Sequence, residues 1–173
     1  GTIYPAGFQY IRDIRMLPFP AWIYEKDGIK IKKEIFMVKG QKAVYAVFTL
    51  LSGTHPVDMD LKFLFTCRNS HDLTRSNSNL DGTLQLNGNL LTIRNYENMP
   101  EIEVAFSGDW KQGGGVYWDY NVEYGIEEER GLDFVEDRFV PGNVTARLEN
   151  EIPFVICVSV ESELQNDSKS MLE

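Results

Sequence analysis

The sequence predicts an all-β protein built as an antiparallel β-sandwich, and three observations lead to that prediction. Apolar residues alternate with polar ones in several runs, and turns that contain glycine separate these runs. No segment longer than about ten residues shows helical periodicity before the C-terminus. About ten short strands joined by regular turns are typical of two packed sheets.

The clearest strands lie in the first half of the chain. Residues 44–50 and 57–65 each place alternate side chains on one apolar face, which predicts sheets with one solvated face. The run GIKIKKEIFMV begins in the same way with Ile29 and Ile31. It then becomes continuously apolar from Ile35 to Val38, which predicts a bulge or a strand buried on both faces.

Turns and later strands complete the predicted sandwich. A hairpin is expected around Asn87-Gly88, and late strands are expected in NVTARLE and PFVICVSV. Residues 1–160 would form the sandwich, and the polar segment 161–173 would be a linker or tail. The other predicted turns are Asp27-Gly28, Lys39-Gly40, Ser52-Gly53 and Asp81-Gly82.

Composition narrows the classes of partner. The chain has 173 residues and a net charge of -9, which fits one domain and makes nucleic acid a poor partner. No apolar run approaches the roughly 18 residues of a membrane span, so no membrane partner is expected. The neutral surface of a sugar is indifferent to this negative charge.

Several kinds of active site have no counterpart in the sequence. Cys67 and Cys157 are read as two free thiols, with a single disulfide left open. Cysteine and histidine do not occur at zinc-site spacing, and the glycines at 113–115 lack the Lys-Ser/Thr of a phosphate-binding loop. No metal, other cofactor or nucleophilic catalytic residue is therefore assigned to this chain.

The stretch EEERGLDFVED, residues 127–137, contains six carboxylates around Arg130. Strand spacing would permit a glycosidase acid pair such as Glu127 and Glu129, and calcium coordination is a further reading. Three other readings are weighed against these. The stretch could be a solvated turn closed by Gly131, a network in which Arg130 forks to Asp133 or Asp137, or a docking edge.

Two more groups of residues are candidates for binding. Aromatic side chains cluster near the glycines at 113–115 and could stack on sugar rings, the alternative being ordinary packing in the core or a hairpin. Arg68, His71 and Arg75 could face a partner or its substrate, the alternative being a surface strand end. The candidate binding or interdomain residues are Arg68, His71, Arg75, Trp110, Trp118, Tyr120, Tyr124, Glu128, Arg130, Asp133 and Asp137.

Several of these stretches, taken in order, resemble one known family. The first 50 residues include Gly7, Tyr10, PFP at 18–20, WIY at 22–24 and KEIFM at 33–37. The segments CRNSHDLTR and WDYNVEYGIEEERGLDFVEDRFVPG follow. Together they resemble the N-terminal domain of bacterial and archaeal glycogen debranching enzymes of the amylo-alpha-1,6-glucosidase type, over residues 4 to about 160. The family's initial Asn-Gly-Leu-Gly-Gly and Arg-x-Tyr-His-Gly segments have no match here.

The resemblance implies a fold and a role. It implies a supersandwich-like domain that lacks its first strands, carries no catalytic acids and supports a separate helical-barrel glucosidase domain. The expected partners are that catalytic barrel and α-glucan, the expected process is glycogen breakdown, and the expected location is cytoplasmic. A stand-alone glucan-binding module is the alternative. We expect the edge left by the missing strands to cause self-association of the chain.

Overall fold

The computed structural model describes residues 3–160, and the segment 161–173 lies outside the described residues. Strands dominate, accompanied by a short 3-10 helix at Gly7–Tyr10 and one short α-helix. The elements in chain order are β1 Ile11–Arg15, β2 Ala21–Lys26, β3 Ile29–Met37, β4 Ala43–Ser52, β5 Val57–Lys62, β6 Leu84–Asn87, β7 Leu90–Ile93, β8 Ile102–Phe106, β9 Trp110–Gly113, β10 Tyr117–Glu123, α1 Gly125–Glu129, β11 Val135–Val140, β12 Asn143–Leu148 and β13 Phe154–Ser159.

The strands form three antiparallel sheets. The large sheet has eight strands in the order β1-β2-β3-β4-β13-β8-β7-β6. A small sheet has three strands in the order β5-β12-β9, and β10 pairs with β11 alone. The fold is therefore an all-β sandwich, as the sequence predicts.

The main core lies where side chains of the large and small sheets meet. Val144, Ala146 and Leu148 on β12 are buried, and they belong to the same cluster as Phe48 on β4 and Ile156 on β13. The alternation of β5 is also confirmed, because its apolar side chains are half-buried and its charged ones are exposed. Burial of these apolar surfaces is the main stabilising contribution to such a sandwich.

Two details of the early strands differ from the predictions. The irregularity in β3 lies at Lys30/Ile31, where the register with β4 shifts, and Met37 is exposed instead of buried. The face of the large sheet expected to be solvated carries an aromatic row. Phe36 stacks on Phe19 at 4.8 Å and on Tyr45 at 5.2 Å between ring centroids.

The predicted β6–β7 hairpin, the turns at Asp27-Gly28 and Lys39-Gly40 and the free thiols are present, whereas Ser52 still belongs to β4 and Asp81-Gly82 lies in an irregular loop. The hairpin β6–β7 turns at Gly88 and Asn89, directly after Asn87, which still pairs with Leu90. Asp27-Gly28 joins β2 to β3 with both residues at positive φ. Cys67 and Cys157 are free, as preferred from the sequence. Among the described helices, none is long and apolar enough to cross a membrane.

Candidate functional site

A groove of about 1500 Å³ lies between two segments that are far apart in the chain. One wall is the loop at 68–75 that follows β5, and the other comes from residues 123–135, which run from the end of β10 through α1 into β11. We call this region the groove. Its lining residues are Arg68, Ser70, His71, Asp72, Leu73, Arg75, Glu123, Tyr124, Gly125, Ile126, Glu127, Arg130, Leu132, Asp133, Phe134 and Val135.

Glu136, on β11, joins the two walls beneath the groove. Its side chain is 0% exposed and forms an ion pair with the guanidinium of Arg68. Arg68 donates through Nε to Oε1 and through Nη2 to Oε2, the second bond measuring 3.1 Å. This fork uses the planar geometry that arginine offers to a carboxylate.

Two further donors complete the contacts of Glu136. The hydroxyl of Tyr124 donates to Oε2 at 2.5 Å, and the backbone N–H of Thr74 donates to Oε1 at 2.9 Å. Both carboxylate oxygens therefore accept two hydrogen bonds each. A buried charge is tolerated when it is paired and hydrogen-bonded in this way.

The electrostatics of Glu136 follow from these contacts. Burial is the largest influence and acts to raise its pKa, but the bonds from Arg68, Tyr124 and the Thr74 N–H together outweigh it. The pKa of Glu136 is therefore lowered from the ordinary glutamate value. The bond to Glu136 raises the pKa of Arg68, and burial followed by Glu136 raises the pKa of Tyr124.

The loop wall is held by its own backbone as well as by Glu136. Arg68 Nη1 donates to the carbonyls of Asn69 at 2.9 Å and Ser70 at 3.1 Å. The hydroxyl of Thr74 donates to the carbonyl of Thr66. With these bonds the loop has a defined shape although it contains no helix or strand over 68–75.

Asp137, the next residue on β11, holds two other chain segments through hydrogen bonds to its carboxylate. Its Oδ2 accepts the N–H of Ser76, and its Oδ1 accepts the N–H of Asn121, each at 2.9 Å. Asn121 has a φ of 56° and lies where the β10–β11 register shifts, so Asp137 secures a bulge. These two N–H groups, with a smaller contribution from Arg75 at 3.9 Å, lower the pKa of Asp137.

The outer wall is a short exposed helix and turn. The carbonyl of Tyr124 accepts the N–H groups of Glu127 and Glu128, and Gly131 at a φ of 70° ends the helix. Arg130 is 64% exposed and contacts Glu127 at 3.4 Å. The solvated turn closed by Gly131 is thus found, and the network in which Arg130 forks to Asp133 or Asp137 was wrong.

The acid-pair hypothesis for Glu127 and Glu129 also rested on a wrong geometry. Both residues lie on α1 and not on a strand. Two helical positions differ by about 200° around the axis, so these carboxylates point to different sides. Within residues 3–160, no three His, Cys, Asp or Glu side chains converge as a metal site would require.

The structure brings together six of the predicted site residues and separates the others. Arg68, His71, Arg75, Tyr124, Arg130 and Asp133 all line the groove. Asp137 is buried outside the lining and accepts the N–H of Ser76, and Glu128 is exposed on α1, also outside the lining. Sequence reasoning treated the segments 68–75 and 127–137 separately, and β11 is what joins them.

The described aromatic residues near the glycine loop differ in their packing and exposure. Trp118 packs edge-on against buried Phe139 at 5.7 Å between ring centroids. This agrees with ordinary packing of the fold, the alternative to sugar stacking. Tyr120 is 59% exposed, and Lys62 lies over the ring of Tyr117 at 5.3 Å. Trp110 lies on β9.

Glu136 and Thr74 are the central residues that the candidate list omitted. Glu136 was counted among the six acids, but its neighbours gave no sign that it alone would be fully buried. The strand VEDRFV carries charges at three of its six positions, so the local sequence does not show which of them is buried. Its partner is 68 residues away in the chain, beyond the reach of local patterns.

Comparison with known proteins bears on this arrangement. The family model described as glycogen debranching enzyme N terminal matches residues 1–154. A search of curated proteins found no match. The matched residues include both walls of the groove and the Arg68–Glu136 pair beneath it.

Proposed function

Because the chain belongs to the glycogen debranching enzyme N-terminal family, we propose that it is the non-catalytic N-terminal domain of a cytoplasmic glycogen-debranching α-1,6-glucosidase. In this proposal it supports the helical-barrel catalytic domain of the same enzyme and shapes the access of α-glucan during glycogen breakdown. The observation that carries the proposal is the groove, whose base is tied by Arg68 and Glu136 and whose rim is exposed.

The rim has the composition of a surface between domains. Arginine, histidine and carboxylate side chains all line it, together with Ile126 of α1, which is 67% exposed, and exposed Leu132. Interfaces between domains of one chain are more polar than obligate interfaces and are complementary in charge. A segment of the catalytic barrel with one or two apolar side chains and mixed charges would fit this rim.

The size of the groove supports an extended occupant. Its volume of about 1500 Å³ exceeds the range of about 300–1,000 Å³ that is usual for small-molecule sites. In our proposal a barrel segment covers the rim around Ile126. The side of the groove near His71 and Arg75 stays open to a passing glucan chain.

The state of Glu136 supports a structural and not a catalytic role. A general acid must carry a proton near the working pH, and its pKa is therefore usually raised. The pKa of Glu136 is lowered, and both its oxygens are occupied by donors. Its contacts are those of a carboxylate that fixes two walls in place.

The test uses this chain and the separately expressed barrel domain of the same enzyme. Binding is measured by titration calorimetry for the native chain and for Ile126→Asp, with Lys111→Glu as an exposed control away from the groove. We expect Ile126→Asp to weaken binding by at least about tenfold, because it places an unpaired charge in the contact. Equal binding by all three chains would contradict the docking proposal.

A second assay tests the non-catalytic part of the proposal. The chain alone is incubated with branched limit dextrin, and released glucose is measured. We expect no release above a buffer control. Release that survives purification to homogeneity would contradict the proposal.

The alternative function, a stand-alone α-glucan-binding module, is favoured by one observation. Tyr120 and Tyr117 are exposed near the glycines at 113–115, and sugar rings stack on exposed aromatic faces. Retention on glycogen in native gels tests it. Retention of the native chain that is lost in Tyr120→Ala and kept in Tyr120→Phe would favour this alternative.

A further inference from the structure

The first strand of the large sheet has an open edge. Among the described residues, β1 pairs only with β2, so the backbone on its other side has no strand partner. Such an edge is a template for another strand, and its charges and bulges restrict which register can form. β1 is irregular between Ile11 and Asp13, so the regular segment open to pairing is Asp13–Arg15. Beyond the function proposed above, we propose that β1 pairs with β1 of a second copy of this chain, as a symmetric antiparallel dimer.

Apolar exposure concentrates around this edge. Ile14 on β1, and Met16 and Leu17 just after it, are exposed, and Leu17 is 84% exposed. Phe8 in the preceding 3-10 helix is exposed as well. Exposed apolar side chains at a sheet edge can be covered when a second copy pairs with that edge.

The charges on β1 are complementary to themselves in one register. When two copies run antiparallel about Ile14, Asp13 lies opposite Arg15 of the second copy, and the pair occurs twice by symmetry. Ile14 then lies opposite its own copy, and the paired segment stays within Asp13–Arg15, clear of the irregularity before it. Opposite charges and apolar pairs directly across two strands stabilise their association.

The conformation of β1 favours this register over its neighbours. Asp13 and Arg15 already lie on one face, since Arg15 Nε donates to Asp13 Oδ2 at 2.8 Å. A register centred on Asp13 places two aspartates opposite each other, which is destabilising. A register that pairs Arg12 with Asp13 runs through the irregularity between Ile11 and Asp13.

The opposite edge of the sheet provides a matched control. β6 is the last strand, and its exposed positions include the uncharged Gln85 and Asn87. Gln85→Arg makes the net charge more positive, as Asp13→Arg also does. It leaves β1 unchanged.

The test uses charge-reversed variants of the full chain in sedimentation velocity over a wide concentration range. Asp13→Arg places two arginines opposite each other, and Arg15→Asp places two aspartates opposite each other. We expect the native chain and Gln85→Arg to dimerise with concentration, and each β1 single variant to dimerise at least about tenfold more weakly.

Restoration of binding is the decisive measurement. Equimolar Asp13→Arg and Arg15→Asp chains are expected to form a mixed dimer, because each chain then presents the charge that the other lacks. The double variant with both changes is expected to dimerise as the native chain does. Circular dichroism and thermal unfolding of each variant show that the fold is kept.

Three outcomes would overturn the proposal. The first is a native chain that stays monomeric at every concentration. The second is single variants that dimerise as well as the native chain, which would place the interface elsewhere. The third is a mixture of folded single variants that stays monomeric. The Ile126→Asp variant leaves β1 intact, so its failure to bind the barrel is distinguishable from any of these outcomes.

Discussion

Arg68 and Glu136 lie 68 residues apart in the chain and form a forked ion pair beneath the groove. Glu136 is fully buried, whereas Arg68 is partly open to the groove. The pair connects the loop after β5 to β11, so the shape of both groove walls depends on one contact. The first three predictions test the energetics of this network.

Arg68→Ala is expected to lower the free energy of unfolding by about 3–5 kcal/mol, because it leaves the buried charge of Glu136 without its main partner. Urea unfolding at pH 7 measures the change. Arg130→Ala is the matched control. Its side chain is exposed and forms a surface ion pair with Glu127 at 3.4 Å, so a change within about 1 kcal/mol is expected. Similar losses in both variants would contradict the assigned importance of Arg68.

Tyr124→Phe is expected to destabilise the chain by about 1.5–3 kcal/mol, the usual range for a hydrogen bond to a charged group. The variant keeps the ring but loses the hydroxyl that donates to Glu136 at 2.5 Å. Tyr120→Phe serves as the comparison, because its ring is exposed, and a change within about 0.5 kcal/mol is expected. Equal unfolding midpoints for the two variants would contradict this prediction.

Stability is expected to fall in acid because Glu136 has a lowered pKa in the folded state. The contribution is fully present above the unfolded-state pKa of about 4.3, and it is lost as the pH falls from there through the folded-state pKa. Urea unfolding at intervals between pH 7 and pH 3 measures this. Glu136→Gln should be less stable at pH 7 and should show a shallower decline. An unchanged decline would assign the acid sensitivity to other groups, such as Asp137.

Both cysteines are expected to resist alkylation in the folded chain at pH 8. Burial raises the pKa of Cys67 to about 11, and its thiol donates to Asn95 Oδ1 at 2.9 Å. Only about 0.1% of such a thiol is ionised at pH 8, and the thiolate is the reactive form. Mass spectrometry after iodoacetamide treatment, with a urea-unfolded sample as the control, checks this. Rapid labelling of Cys67 in the folded sample would contradict it.

The large features of the fold could be predicted from local patterns. Val144, Ala146 and Leu148 alternate on β12, and the period of two already states which face is buried. The pair Asn87-Gly88 is a strong hairpin signal, and the β6–β7 hairpin turns at Gly88 and Asn89. The structure of the acidic segment 127–137 was harder to predict. A five-residue helix at Gly125–Glu129 is too short to show periodicity, so Glu127 and Glu129 were weighed as strand residues.

What the sequence by itself determined was the sandwich, most of its strands and turns, and the family to which the chain belongs. These follow from patterns that repeat every two residues and from segments that keep their order. Only the tertiary structure decided which acids in 127–137 are buried. Glu127 and Glu129 lie on a helix at the rim, while Glu136 and Asp137 become buried as β11 pairs with β10 and meets the loop at 68–76. The physical reason is that a carboxylate can stay charged inside a protein only where a cation or hydrogen-bond donors contact it, and here those donors come from residues far away in the chain. The positions of Arg68, Thr74 and Tyr124 depend on how the whole chain is arranged.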